Sequence, residues 1–588
     1  MIKAFLMDEQ VRNRSWSLVT PRAFMMVCLV LISLLFAISA SVVADEGDEL
    51  LVDNEFLTAQ PEIVEAWQDM RLGMFMCWGP VSLTGQEIGW SRGAPRGGEF
   101  RVREGEGATP VDVYDNLYKE WAPDHFDAKE WIQTAKDSGA NYIIFLVKHH
   151  DGFCLYDSDL TEFKSTGSES AWKVDVMAAI TDACHEADMK LIIYYSQPDW
   201  HHPDYRSATH DRYIEYLHGQ VRELLTDYGK IDGFWFDLGG KPEDWDTVEL
   251  FTMMRTLQPH LIINNRCGLP GDYDTPEQRL GGFQLDRPWE TCMTLGTQWS
   301  WKPDDSVKSL KECIDVLVTC AIRNGNLALN TGPMPNGQIE ARQAERFREI
   351  GAWLGENGES IYKTRGGPWR DTSWGGTTHR ENRAFVHVLR WTEDEIKLSP
   401  IPVRILDCRV LTGGTATLEQ TDEGITIRVP EEYRNELDTI IELTLDGPVG
   451  DLRPGMIPSG SLAVEKAVTS SGDWPDPQHA ASRAFDDDQS TRWGAAMDSR
   501  SGWLEVDLGE PMTIGRLYVN EASWDRVQRY ELQILEGESW RTVHSGTTFG
   551  EDYQVEFEAA TAQHVRLNIL EATNVPTIWE VRLFPPKE

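Results

Sequence analysis

Between about residues 60 and 365, short apolar runs alternate with stretches of helical periodicity. The runs fall at 73–78, 142–147, 191–195, 233–236, 261–264 and 327–329. Between them, Ile214, Leu217, Val221, Leu224 and Tyr228 step by three or four residues and mark one face of a helix. Val176, Ile180, Ala183 and Ala187 do the same, as do Leu310, Ile314, Leu317 and Ala321, and then Phe347, Ile350 and Leu354. Apolar runs separated by amphipathic helices imply a parallel sheet. Six or more such units in ~300 residues predict a (β/α)8-type barrel rather than an open sheet.

In such a barrel, the C-terminal ends of the strands form the active face. Here the runs end in Cys77-Trp78-Gly79, Lys148-His149-His150-Asp151, Ser196, Asp237, Asn265-Arg266 and Asn330. A lone carboxylate leaving a buried strand is costly unless it is hydrogen-bonded or functional. Asp237 is therefore either a cap for the Leu238-Gly239-Gly240 turn or a reacting group. Neighbouring residues on a strand face opposite ways, so His149 and His150 cannot easily share a metal, and no HExxH or CxxC accompanies them. Past the strand end, both rings can turn toward the barrel mouth as hydrogen-bonding groups for a polyhydroxylated ligand. Glycosidases need two carboxyl groups, and Glu277 and Glu290 are the candidate partners of Asp237.

The rest of the chain reads as accessory parts. Residues 1–44 combine Lys3, Arg12, Arg14 and Arg22 with an apolar run from Ala23 to Ala40, the pattern of a cleaved export signal, with an uncleaved anchor as its rival. A secreted or periplasmic location is expected. The barrel would then span 45–369. Period-two alternation over 383–447 predicts a β-sandwich at 370–447, a Pro/Gly-rich linker follows at 448–461, and a second all-β module fills 462–588. No later stretch approaches the ~20 apolar residues of a membrane span. The formal charge of −40 repels phosphate backbones and argues against nucleic-acid binding. Nine Cys without CxxC or regular spacing indicate no disulfide framework. The 23 Trp are mostly core, but any that line a pocket offer flat faces for sugar rings.

Residues ~60–370 resemble glycoside hydrolase family 29, the α-L-fucosidases. The resemblance rests on the segment from Arg71 to Pro80, on Lys148 to Phe153, Trp235-Phe236-Asp237 and Asn265-Arg266, on Gly325 to Pro333, and on the tail from Ile350 to Tyr362. It implies a barrel followed by a β-sandwich, and exo-acting, retaining hydrolysis of terminal α-L-fucose from oligo- or polysaccharides without a metal or other cofactor. Asp237 matches the family nucleophile, and His149 and His150 match its sugar-binding pair. Glu277 and Glu290 each resemble the acid/base of one branch, with Glu277 preferred. The expected sugar contacts are Cys77, Trp78, Trp90, His149, His150, Tyr195, Trp235, Arg266 and Trp289. Two departures stand out. Cys77 occupies the place of a family His, which is expected to leave a wider pocket rim and a weaker hydrogen bond there. The segment Gln86-Glu87-Ile88-Gly89-Trp90 replaces the usual Glu-Trp pair.

Residues ~462–586 resemble a discoidin-type module, as in carbohydrate-binding module family 32. The matching segments are Ala484 to Trp493, Trp503 to Gly509, His564 to Leu567 and Ile578 to Val581. This implies a structural Ca²⁺ with oxygen ligands from Asp486, Asp488, Thr491 and Glu580. The rival readings of the whole chain are a sibling α-L-galactosidase, because an apolar pocket rejects an added hydroxyl poorly, and a glycan-binding protein without catalysis.

Overall fold

The computed structural model describes residues 57–93, 107–452 and 461–587, apart from 286, 373, 392, 465, 476–478, 488–490, 522–524 and 551–552. The expected signal segment, part of the expected linker and the candidate ligand Asp488 lie outside the described residues.

Seven parallel strands form the first sheet: β1 Leu72–Met76, β2 Tyr142–Lys148, β3 Lys190–Tyr195, β4 Gly233–Phe236, β5 Ile262–Ile263, β6 Glu290–Thr294 and β7 Asn326–Thr331. Their order is β5-β4-β3-β2-β1-β7-β6. Every residue of β1, β2, β4, β6 and β7 is buried, as parallel strands covered on both faces require. Helices at Ala128–Asp137, Val176–Ala187, His210–Thr226, Thr247–Leu257, Leu310–Ile322 and Ala341–Asn357 connect and cover them. Several start where the sequence supplies a cap. The Asp127 and Asp175 carboxylates accept first-turn N–H groups, and Ser309 with Glu312 forms a reciprocal capping box.

Between β5 and β6 the ring closes without a regular strand. The extended segment 272–278 makes parallel bridges on both sides, Asn264 with Tyr273, then Asp274 with Trp289 and Glu277 with Cys292. Backbone bonds from Asp272 to Ile263 (2.7 Å) and from Cys292 to Pro276 (3.1 Å) hold it in place. This irregular stave carries Glu277 to the mouth. The inward side chains Phe75, Ile144, Leu146, Tyr194, Trp235, Cys292 and Ala328 pack into one interior cluster.

A five-stranded antiparallel sheet follows, with Arg365–Gly366, Gly375–Arg380, Arg383–Val388, Ile405–Val410 and Thr439–Leu445. A three-stranded sheet of Ile396–Leu398, Thr417–Thr421 and Gly424–Arg428 accompanies it. Ala384, Val386, Ile425, Ile427, Ile441 and Leu443 share their common core. Its first strand begins a few residues before the change of sequence pattern at Trp369. The C-terminal module is a β-rich body built on the long strands Gly502–Asn520 and Tyr553–Ala572, with its own core around Trp493, Leu504, Val506, Tyr530 and Leu567.

Candidate active site

Alternation along β4 turns Phe234 and Phe236 outward and Trp235 and Asp237 inward. The chain then bends sharply at Leu238, whose φ is 61°. Asp237 is held from every side. Tyr194 donates to its Oδ2 (2.7 Å), while Arg266 Nη1 and the Leu238 N–H donate to its Oδ1 (both 2.7 Å). Gln197 Oε1 accepts the Asp237 N–H (2.9 Å), and the Gln197 amide group reaches the carbonyls of Gly239 and Arg266. One side chain thus fixes three backbone points of the mouth. Burial raises the Asp237 pKa, but Arg266 and His150 beside it, with the Tyr194 hydrogen bond, outweigh burial and lower it to about 2. The carboxylate is ionised at any ordinary pH.

Arg266 is the hub. Its Nη1 donates to Asp237 and also to Glu277 Oε2 (2.8 Å), its Nε to Thr275 Oγ1 (2.8 Å), and its Nη2 to the Thr275 carbonyl (2.8 Å). The guanidinium lies 4.6 Å above the Trp235 ring. Glu277 is the open member of the group: its side chain is 41% exposed, against 13% for Asp237.

His149 and His150 follow the last residue of β2, and their rings come side by side at 3.9 Å. His150 Nε2 lies 3.4 Å from Asp237 Oδ2, and its Nδ1 contacts Ser196 Oγ (2.7 Å). Burial and the neighbouring His150 push His149 well below the usual histidine range, so it is neutral, with one donor and one acceptor nitrogen. Donor atoms of His149, His150 and Asp237 lie within 4.8 Å of one another. However, both Asp237 oxygens are already engaged by Arg266 and Tyr194, which suits an organic ligand better than a cation. Trp90 closes over this pair, 5.5 Å from the His150 ring and 5.2 Å from Trp200. Gly89 (φ 65°) permits that approach, because a Cβ there would sit 2.3 Å from His149 Nδ1.

Several expected residues are elsewhere. Glu290 faces inward but at the N-terminal end of β6, two residues below Cys292, or roughly 7 Å deeper. It is fully buried, accepting from Tyr142 and from Trp235 Nε1 (3.1 Å), and burial pushes its pKa up to about 7. Tyr195 points outward, bonded to Lys148 and Gln220 (2.9 and 2.8 Å); its neighbour Tyr194, of the opposite parity, is the one that meets Asp237. Trp78 is locked in an aromatic cluster with Trp121, Phe126 and Trp131 and donates to the Met334 carbonyl. Trp289 is buried against Gly281 and Gly325. Cys77 is 3% exposed in the interior cluster that also holds Phe75, Val81 and Ile88, with Asp237 and Glu277 close enough to help raise its pKa. Tyr194, Gln197, Trp200 and Trp299 join the site unannounced. Only strand parity could have exchanged Tyr195 for Tyr194; the others stand in loops.

In the C-terminal module, Thr491 Oγ1 donates to Asp486 Oδ2 (2.8 Å). Glu580 is fully buried, neither of its oxygens has a hydrogen-bond partner among the described residues, and Arg582 Nη2 stands 3.7 Å away. Burial raises its pKa, opposed by Arg582 and reinforced by Asp487 and Asp486. A buried carboxylate without donors, beside other carboxylates, has the chemistry of a hard-cation ligand.

A family model described as Alpha-L-fucosidase matches residues 44–359, and an F5/8 type C domain matches 466–581. The chain belongs to the alpha-L-fucosidase family. It is therefore a glycoside hydrolase, with a glycan substrate. Alpha-L-fucosidase isoenzyme 1 from Paenibacillus thiaminolyticus is 32% identical, with a TM-score of 0.59 over 66% of this chain and 99% of that one. An alpha-L-fucosidase from Bacteroides thetaiotaomicron, solved as a trapped covalent intermediate with 2-fluoro-fucosyl fluoride, is 26% identical, with a TM-score of 0.58 over 66% and 97% of the two chains. Plasma alpha-L-fucosidase of Homo sapiens is 27% identical over 362 residues, 55% of this chain and 76% of that protein. No described helix of this family member is long and apolar enough to cross a membrane.

Proposed function

We propose that this enzyme is an exo-acting, retaining α-L-fucosidase that removes terminal α-L-fucose from glycans. The observation that carries this reading is the pair of carboxylates on one nitrogen of Arg266. Their oxygens can be no farther apart than two hydrogen bonds of 2.7 and 2.8 Å laid end to end. Retaining glycosidases hold their two carboxyl groups ~5–5.5 Å apart, whereas inverting enzymes leave room for a water between them.

Asp237, ionised and oriented by Tyr194 and Arg266, attacks the anomeric carbon from below. Glu277, on the open side, protonates the leaving oxygen and then deprotonates the water that releases the sugar. The covalent intermediate trapped in the Bacteroides thetaiotaomicron relative supports the double displacement. His149, His150 and Trp90 bind the sugar's hydroxyls and apolar face, over a floor of Trp235. In the C-terminal module, Glu580 and the loop from Asp486 to Thr491 hold a structural Ca²⁺, and residues 1–44 direct export.

Aryl α-L-fucoside and aryl α-L-galactoside, assayed side by side, test the reading. Turnover of the fucoside with release of the α-sugar is expected. Preference for the galactoside moves the chain to the sibling specificity, and turnover of neither removes the fucosidase reading.

A further inference from the structure

The half-buried carboxylate of Glu87 has no place in the chemistry above, yet it gathers three backbone donors. Its Oε2 accepts the N–H of Trp299 (2.9 Å), and its Oε1 accepts those of Ile88 (2.9 Å) and Ser300 (3.3 Å). Trp299 and Ser300 belong to the loop that follows β6, whereas Glu87 belongs to the loop that follows β1. In the sheet, β7 stands between those two strands, so no ladder joins the loops. Ser300 Oγ donates to the Gln86 carbonyl (2.7 Å) and Gln298 Nε2 to the Gly85 carbonyl (3.3 Å), in line with the same seam. Among the described residues, no cation pairs with Glu87, so neutral donors alone satisfy it.

What the seam holds is the half-buried Trp299. Its ring lies 5.6 Å from Phe75, and Phe75 lies 5.7 Å from both Tyr194 and Trp235. Tyr194 donates to Asp237, and Trp235 lies beneath Arg266. Trp299 is thus the outer end of an aromatic row that reaches the reacting carboxylate, and it stands on a loop with little regular structure.

We propose that Glu87 is a positioning residue: its carboxylate clamps the loop after β6 onto the loop after β1, and so fixes Trp299 as a wall of the sugar pocket. Without that acceptor, the part-buried N–H groups of Trp299 and Ser300 lose their partner and the loop opens toward water to satisfy them. The proposal rests on the fucoside-hydrolysing reading of the Asp237 site. Because Glu87 acts through Trp299 and not on the reacting atoms, its loss weakens sugar binding and leaves the chemical step in place.

The experiment uses the full-length enzyme with Glu87→Ala, Glu87→Gln, Trp299→Ala and the Glu87→Ala/Trp299→Ala double variant. Two readouts are taken: steady-state kinetics on an aryl α-L-fucoside, and hydrogen–deuterium exchange of the peptide spanning 295–301. Glu87→Ala should raise KM about ten-fold with kcat changed less than about two-fold, and the Trp299 and Ser300 amides should exchange faster. Glu87→Gln keeps one acceptor oxygen and should recover most of both effects. The double variant should be no worse than the weaker single variant, since both remove the same contact. Unchanged exchange in Glu87→Ala, a loss confined to kcat, or multiplying losses in the double variant would each overturn the proposal. If the wild type turns over no fucoside, the functional reading fails, and the exchange data still decide whether Glu87 clamps the loop.

Discussion

Asp237 and Glu277 are joined through one atom: Arg266 Nη1 donates to Oδ1 of the first at 2.7 Å and to Oε2 of the second at 2.8 Å. The two carboxylates come from dissimilar elements, one from the end of β4 and one from the irregular stave 272–278. Arg266, itself held by Thr275 on that stave, ties them. The guanidinium holds the two carboxyl groups together, Asp237 deep at 13% exposure and Glu277 open at 41%.

If Asp237 is the nucleophile, Asp237→Asn loses several orders of magnitude in turnover, because both steps of a double displacement need it. By NMR, the first sugar released by the wild type keeps the α configuration. A β product, or an Asn variant close to wild-type rate, removes the assignment.

Glu277→Ala on a substrate with a good leaving group should slow mainly the second step, because little protonation is then needed in the first. Azide should restore turnover and leave an α-configured glycosyl azide. No rescue in Glu277→Ala, together with rescue in Glu290→Ala, would transfer the acid role to the buried residue.

Glu290 gives a pH signature instead. Its folded pKa of about 7 lies above the ~4.3 of an exposed Glu, so between those values the folded chain holds the proton more tightly than the unfolded one. Stability from this group is therefore greatest below about pH 4, falls as pH rises toward 7, and levels off above it. Thermal unfolding from pH 5 to 7.5 should show the wild type losing Tm relative to Glu290→Gln, with turnover of the variant within about ten-fold of wild type. Parallel Tm curves would contradict the burial argument.

Cys77 should be a silent thiol. It is 3% exposed, and burial, with Glu87 nearby, raises its pKa well above the ordinary value, so little thiolate is present to react. A thiol reagent should modify it only on unfolding, whether or not sugar is bound. Cys77→His would crowd the packed wall of Phe75, Val81 and Ile88 at about 1–3 kcal/mol, seen as a lower Tm. Rapid labelling of the native enzyme, blocked by sugar, would return Cys77 to the pocket.

Glu580 is a buried carboxylate faced by Arg582 at 3.7 Å and crowded by Asp486 and Asp487. Millimolar Ca²⁺ should raise the unfolding temperature of the C-terminal module and EDTA should lower it. Glu580→Gln should abolish the Ca²⁺ response while leaving turnover of small fucosides intact. A Ca²⁺ response that survives in Glu580→Gln would place the ion elsewhere.

The alternation of apolar runs and helical stripes determined the barrel, because burial on both faces of a parallel strand leaves no other pattern. The sequence also placed Asp237, Arg266, His149 and His150 at strand ends, where side-chain direction follows from the chain itself. Depth within the barrel was not legible. Glu277 and Glu290 look equivalent along the chain, yet the closing segment 272–278 lifts one to the mouth, while the start of β6 leaves the other in the core. Cys77 reads as a rim residue, but it is 3% exposed within the interior cluster. Trp200 and Trp299 carry no periodic signal, since their positions depend on contacts with His150, Phe75 and Glu87 from other parts of the chain. Local pattern dictates which way a strand residue points. How deep it lies, and what an irregular loop covers, are decided only when distant segments pack together.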